Sequence, residues 1–308
     1  MKGLDFSIKR EDRRVIRVLV MSIIASAAVA VLTSCSADGG GTDRVPEYQA
    51  KGDTTITLSF NQMTMESMDA RTRGLTRGSL SNAKMERLDV WISDGTTTQD
   101  FHQAKTDDGF GTVTATLNKT KTYTLYAIAH KASAACTLTE GVIAYPEDKV
   151  KESAWYTTTF SPATASSLNC AMNRITGKFS LATTDVVPEE VDHFRLTIAQ
   201  TGIRFAVTGA PTEVTDRIVD YASINRDDNS GTSSFSTNIL AASDDATNFD
   251  ITATAYDADN NIIQSRTFAD VPIRNGYATK YSGAFFIDAG MTMSFTASDW
   301  VEYDETTY

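Results

Sequence analysis

The clearest chemistry in the chain belongs to Cys35. It follows Leu32-Thr33-Ser34, so a leucine and two small residues lead directly into a cysteine. That pattern resembles the lipobox read by lipoprotein signal peptidase. The small residues let the chain enter as an extended strand, and a cysteine thiolate is nucleophilic enough to carry a diacylglycerol thioether. Residues 1–17 are polar and basic, and residues 18–32 (VLVMSIIASAAVAVL) are apolar without interruption. A helix of that length rises roughly 22 Å, short of the about 20 residues that span a bilayer core. Residues 1–34 therefore read as an export signal, with acylation at Cys35 and a lipid anchor in a bacterial cell envelope. Residues 35–50 continue as a Gly-rich, polar tether.

A second reactive candidate lies in Asp69–Gly78 (DARTRGLTRG), which places Arg71, Arg73 and Arg77 close together, two of them followed by glycine. An exposed, adaptable loop with arginines suits a trypsin-like protease, which requires an extended, accessible chain. A solvated basic loop is the plainer reading. Cys136 and Cys170 are the remaining cysteines. Export permits a disulfide between them, and two cysteines allow one pairing. Two buried small hydrophobes are the other reading.

Other chemistry is sparse. His102, His130 and His193 are far apart in sequence, and no H-E-x-x-H, C-x-x-C or G-x-S-x-G occurs. Gly39-Gly40-Gly41 and Gly109-Phe110-Gly111 open no helix, so neither cradles a phosphate. Asp257-Ala258-Asp259-Asn260-Asn261 begins like a calcium loop. It lacks the glycine at the sixth position and has Phe268 at the twelfth, so a hairpin turn is expected there. Trp91, Trp155 and Trp300 could form a glycan platform, although Trp91 sits inside an alternating strand and is expected in a core. The chain is expected to bind neither cofactor nor metal and to be no enzyme.

The elements that would position these residues are strands. Thr54–Phe60, Arg87–Ser93, Thr112–Leu117, Thr122–Ala129 and Trp155–Phe160 alternate or are β-rich. Asp94-Gly95 ends the second of these with a hairpin signal. Gly177–Ala182, Phe194–Ala199, Ser233–Leu240, Asn248–Tyr256, Ile262–Val271, Tyr281–Asp288 and Met291–Ala297 follow. Helical turns are expected only near Ser79–Glu86 and Pro188–His193. The Ser/Ala-rich stretch 161–171 precedes a boundary, giving β-sandwiches over 51–172 and 173–308. The 308 residues carry a net charge of -11; without the first 34, 22 bases face 36 acids. Such an acidic body offers no footprint for nucleic acid.

Several segments together resemble the fimbrillin superfamily of Bacteroidales, in particular its FimB-type minor or anchoring subunits. They are the leader ending in Leu32-Thr33-Ser34-Cys35, and a first strand followed by the Thr72-Arg73-Gly74 or Thr76-Arg77-Gly78 sequence and then Met85-Glu86-Arg87-Leu88-Asp89-Val90-Trp91-Ile92. Met172-Asn173-Arg174-Ile175-Thr176-Gly177-Lys178, Val271-Pro272-Ile273-Arg274-Asn275 and the closing Asp299-Trp300 complete the set. The resemblance implies two tandem transthyretin-like β-sandwiches, export as a lipoprotein and assembly in a surface fimbrium. It implies other fimbrial subunits as partners, and host or bacterial surface ligands for a tip subunit. In polymerising members an Arg-specific protease removes the first strand, and a neighbour's strand fills the groove; anchoring members keep strand and lipid. The tail after Trp300 (VEYDETTY) is short and acidic, which favours a minor, tip or anchor role over a stalk. A surface glycan-binding lipoprotein is the alternative.

Overall fold

The computed structural model describes residues 52–66, 75–78, 80, 83–222, 224, 233–241, 245–287 and 294–299. Their regular structure is all β, apart from one 3-10 turn at Pro146–Asp148. The first half contributes β1 (Asp53–Glu66), β2 (Leu75–Gly78), β3 (Arg87–Ser93), β4 (Thr98–Ala104), β5 (Thr112–Asn118) and β6 (Tyr123–His130). A small hairpin, β7 (Thr137–Thr139) and β8 (Val142–Ala144), is followed by β9 (Ser153–Phe160) and β10 (Ser167–Arg174). The second half contributes β11 (Thr176–Thr183), β12 (His193–Ala206), β13 (Ala210–Tyr221), β14 (Ser234–Leu240) and β15 (Thr247–Tyr256). It closes with β16 (Ile262–Ile273), β17 (Tyr277–Gly283) and β18 (Ser294–Asp299).

The first sheet runs β2-β1-β10-β9-β6-β3-β4, with β5 also paired to β1. β10 touches β9 only through Asn173–Trp155 and Arg174–Ala154, so the sheet folds over at that corner. Ile56, Leu58, Val113, Ala115 and Leu117 on one layer then meet Leu88, Val90, Ile92, Leu125 and Ala127 on the other, all buried. Each set sits at every second residue of its strand, as a half-buried strand requires. Between β4 and β5 the closure is made by side chains. Gln99 and Gln103 donate to the carbonyls of Thr116 and Thr112, and Gly111 N–H returns a bond to Gln103. These amides occupy backbone groups on the free edge of β5, which blunts that edge for pairing with another chain.

In the second half a four-stranded sheet, β14-β11-β17-β18, faces a larger one, β16-β15-β12-β8-β7 with β13 paired to β12. Phe179, Leu181, Phe235 and Ile239 meet Phe194, Leu196, Ile251, Ala253 and Val271 across that core. The aromatic contact Phe194–Phe235 has ring centroids 3.8 Å apart and nearly parallel.

Residues Gln49–Tyr308 form one compact unit, and three features join its halves. Only Ile175 separates β10 from β11. Hairpin β7–β8, which belongs to the first half in sequence, pairs with β12 of the second through Val142–Ala206, Ile143–Phe205 and Ala144–Arg204. A third core cluster draws on both halves: Trp91, Ile128, Cys136, Ile143, Tyr145 and Trp155 pack with Ile175, Phe205 and Leu240. Buried Glu152 forms an ion pair with buried Arg174 at 2.6 Å.

Most expected strands appear within a few residues of their places, and Arg87–Ser93 and the start of the Ile262 strand coincide with them. Three expectations change. The Ser/Ala-rich stretch before the anticipated boundary enters β10 at Ser167, and that strand runs on through Arg174. The expected strand Tyr281–Asp288 is displaced to Tyr277–Gly283, because the Asp185 carboxylate takes the N–H groups of Phe285, Phe286 and Ile287 out of any ladder. At Pro188–His193 the chain makes a single turn closed by Val191 N–H to Pro188 C=O, and His193 already opens β12.

Candidate functional site

The first strand is held on both edges and lines the first core. Alternation in Thr54–Phe60 sends Ile56, Leu58 and Phe60 inward, all fully buried. The register shifts between Ser59 and Gln62, a bulge of the kind that re-aims the following residues. Met63 is thereby turned inward as well, and it too is fully buried. One edge of β1 pairs antiparallel with β5 from Asp53–Asn118 to Ser59–Thr112, then with β2 from Met63–Gly78 to Glu66–Leu75. The other edge pairs parallel with β10 between Thr57–Ser167 and Thr64–Asn173. β1 is thus an inner strand near the start of the described chain, with an apolar slot beneath it and partners on both sides.

A second constellation lies on the opposite layer and unites residues that are distant in sequence. Asp89, in the middle of β3, is fully buried. Its Oδ1 is 2.9 Å from His102 Nδ1 on β4; its Oδ2 is 2.7 Å from His130 Nε2 on β6 and 2.7 Å from the N–H of Cys136. Ala132 N–H donates to His130 Nδ1 at 3.1 Å. That nitrogen must be an acceptor, so the proton sits on Nε2 and is donated to Asp89. Burial, with the Asp89 charge beside it, pushes the Cys136 thiol far up, so it stays neutral.

The ligand atoms of Asp89, His130 and Cys136 lie within 4.8 Å of one another, a donor set that zinc accepts elsewhere. The tautomer speaks against such use. A metal at His130 Nε2 would require a proton on Nδ1, pointed at the Ala132 N–H. The arrangement is a carboxylate satisfied by three donors, and a neutral buried thiol supplies no nucleophile.

Comparison with known proteins bears on this architecture. Residues 150–299 match a family model described as a family of unknown function, DUF6562. No curated protein matches the sequence. Among solved structures, one from Bacteroides thetaiotaomicron described as a putative adhesin aligns with a TM-score of 0.50 at 10% identity, covering 82% of this chain and 99% of its own. The chain shares that structure's fold. A Bacteroides thetaiotaomicron structure described as putative polysaccharide binding proteins (DUF1812) gives 0.49 at 9% identity, over 80% of this chain and 98% of its own. The fimbrial anchor protein Mfa2 from Porphyromonas gingivalis gives 0.47 at 10% identity, over 80% and 97%. The β-sandwich architecture expected from the sequence agrees with the fold of the structure that aligns at 0.50.

Within that fold the expected site residues are dispersed. Cys35, Arg71 and Arg73 fall outside the described residues, the two arginines in the stretch between β1 and β2; Arg77 is in β2, opposite Thr64 of β1. Cys136 and Cys170 are free, buried thiols and no disulfide joins them. Cys136 packs in the cluster between the halves and Cys170 in the first core, where burial raises its pKa to about 12. Trp91 and Trp155 are buried, Trp155 against Tyr126 and Phe205, and neither offers a surface platform; Trp300 lies outside the described residues. Asp257–Asn261 is a hairpin turn between β15 and β16. Asp257 accepts the N–H groups of Asp259 and Asn261, and Asn260 takes φ +64°.

The Asp89 constellation is what sequence reading missed. The hairpin at Asp94-Gly95 signalled only its β3–β4 register. Asp94 accepts the N–H groups of Thr96 and Thr97, which sets Ser93 against Thr98 and therefore Asp89 against His102.

Proposed function

We propose that the chain is a fimbrial subunit of minor, anchor or tip type, exported as a lipoprotein, acylated at Cys35 and displayed at the outer membrane surface. It joins a neighbouring subunit through strand donation at the position of β1. The observation that carries this reading is β1 itself, an inner strand with four fully buried side chains and partners on both edges. It lies upstream of Arg71, Arg73 and Arg77 and downstream of Cys35. Removing it would bare an apolar slot and two rows of unpaired backbone groups. An extended strand from another chain would restore the ladders and rebury alternate side chains. Retaining it leaves the lipid and the fold on one continuous chain, as an anchor requires.

The experiment is the mature N-terminus of protein taken from the cell surface, read by mass spectrometry. A start at acylated Cys35 supports an anchor that keeps its first strand. A start just after Arg71 or Arg73 supports a subunit that exchanges it. Cleavage after Arg77 would also require β2 to leave its pairing with β1. A mature start at neither Cys35 nor these arginines, or fibres that never contain the protein in cells expressing it, would sink the proposal.

A further inference from the structure

We propose that the Asp89 carboxylate is a latch coupling the two sandwiches, by fixing the entry to hairpin β7–β8. β3 is buried on both faces. Leu88, Val90 and Ile92 point into the first core, whereas Trp91 belongs to the cluster shared between the halves, and Asp89 shares its face. The carboxylate holds three elements at once: β4 through His102, β6 through His130, and the N–H of Cys136, the last residue before β7. From there the chain makes the hairpin whose second strand is hydrogen-bonded to β12 of the other half. Ile143 on that strand and Phe205 opposite it are fully buried in the shared cluster. Hence one of the three features that join the sandwiches is a hairpin whose root is bonded to this carboxylate of the first sandwich. The His130 tautomer is set by Ala132 N–H within the same connecting segment, so both ends of that segment are tied to the Asp89–His130 pair.

The chemistry of the latch is specific. Three N–H donors converge on two carboxylate oxygens. An asparagine at this position would offer one acceptor oxygen and no charge; its NH2 can be accepted only at His102, with that ring's proton moved to Nε2, so the bonds from His130 and the Cys136 N–H lose their charge assistance. The cost would fall on residues 131–136, which belong to no strand, rather than on the regular ladders of β3 and β6.

Hydrogen exchange of the whole chain, followed by mass spectrometry, tests this. In Asp89→Asn the amides of 136–144 and of their partners 204–207 should exchange at least about tenfold faster. Those of β1, β5, β11 and β14 should stay within about twofold of the wild type. Cys136→Ser keeps the backbone N–H and should change none of them. If Asp89→Asn does not fold, His102→Phe carries the test. It leaves the carboxylate but removes its donor from β4, and should accelerate exchange in 136–144 about threefold. Acceleration spread evenly over all strands, or none in 136–144 in whichever of these two variants folds, overturns the proposal.

Discussion

If β1 is the element on which assembly turns, deleting it should leave a chain that cannot hold its first sandwich but can recover it from a strand added in trans. The perturbation is a chain of residues 74–308 compared with one of residues 36–308. Ile56, Leu58, Phe60 and Met63 are each fully buried. At about 1.5–3 kcal/mol apiece, their burial contributes about 6–12 kcal/mol, an upper estimate because the unfolded chain already hides some apolar surface. That sum is comparable with the whole stability of an ordinary domain, about 5–15 kcal/mol. The shorter chain should therefore lose cooperative unfolding of its first half, seen by near-ultraviolet circular dichroism of Trp91 and Trp155 and by urea denaturation. A peptide of residues 53–66 should restore the signal. With about 2–5 kcal/mol spent on ordering the peptide, an affinity between about 10 µM and 1 mM is expected. A peptide carrying Leu58→Asp and Phe60→Asp should not bind, since two unpaired charges would enter the slot. An unchanged urea midpoint in the shorter chain would refute the reasoning, because β1 would then be dispensable to the core it lines.

Three further outcomes follow from particular contacts. Gly177→Ala should cost about 1–3 kcal/mol in urea denaturation. The new Cβ would lie 2.5 Å from the carbonyl oxygen of Arg274 and 2.6 Å from Ile273 Cγ2, and the carbonyl has no rotamer to escape through. Asp185→Ala should cost about 2–4 kcal/mol by the same measurement, since it orphans the N–H groups of Phe285, Phe286 and Ile287. Asp185→Asn, which keeps one acceptor, should cost less. The ion pair with Lys121, and then the N–H groups of Thr97 and Thr96, hold the Asp94 carboxyl well below the usual carboxylate range. A depressed native pKa contributes stability that is complete above about pH 4 and fades as the pH falls further. Asp94→Asn should therefore be less stable than the wild type at pH 7, with the difference shrinking below pH 4 in denaturation curves taken from pH 7 to pH 2.

The strands legible in the sequence are those whose own side chains declare a buried face. Arg87–Ser93 alternates, and an Asp-Gly turn ends it; Asn248–Tyr256 alternates before a turn rich in Asp and Asn. Where the sequence is silent, the pairing comes from a partner. Ser167–Arg174 (SLNCAMNR) has little β-propensity of its own and becomes β10 because β1 lies parallel beside it. Ala210–Tyr221 is exposed along most of its length and reads as loop. It is held by β12, by Arg217 on the Asn238 carbonyl and by Tyr221 on that of Ser236. Such tertiary support overrides propensity and leaves no periodic trace in the strand itself.

The same reasoning explains why the slot beneath β1 could be anticipated while the Asp89 constellation could not. The slot is written in one alternating stretch, Thr54–Phe60, so its apolar lining is visible before any partner is known. The constellation exists only once two registers are fixed. The Asp94 turn sets Asp89 opposite His102, and the pairing of β3 with β6 sets it opposite Ile128, which brings His130, two residues on, within diagonal reach. Cys136 arrives last, carried in by the connection to β7. Each of these residues alone is an unremarkable polar or small side chain. Their grouping follows from ladder arithmetic, and a one-residue slip in either register would turn Asp89 or its histidines to the other face of the sheet. The buried carboxylate therefore also favours the correct register: only with Asp89 opposite His102 and diagonal to His130 are its two oxygens satisfied, and any slipped pairing leaves a charge without donors in a core.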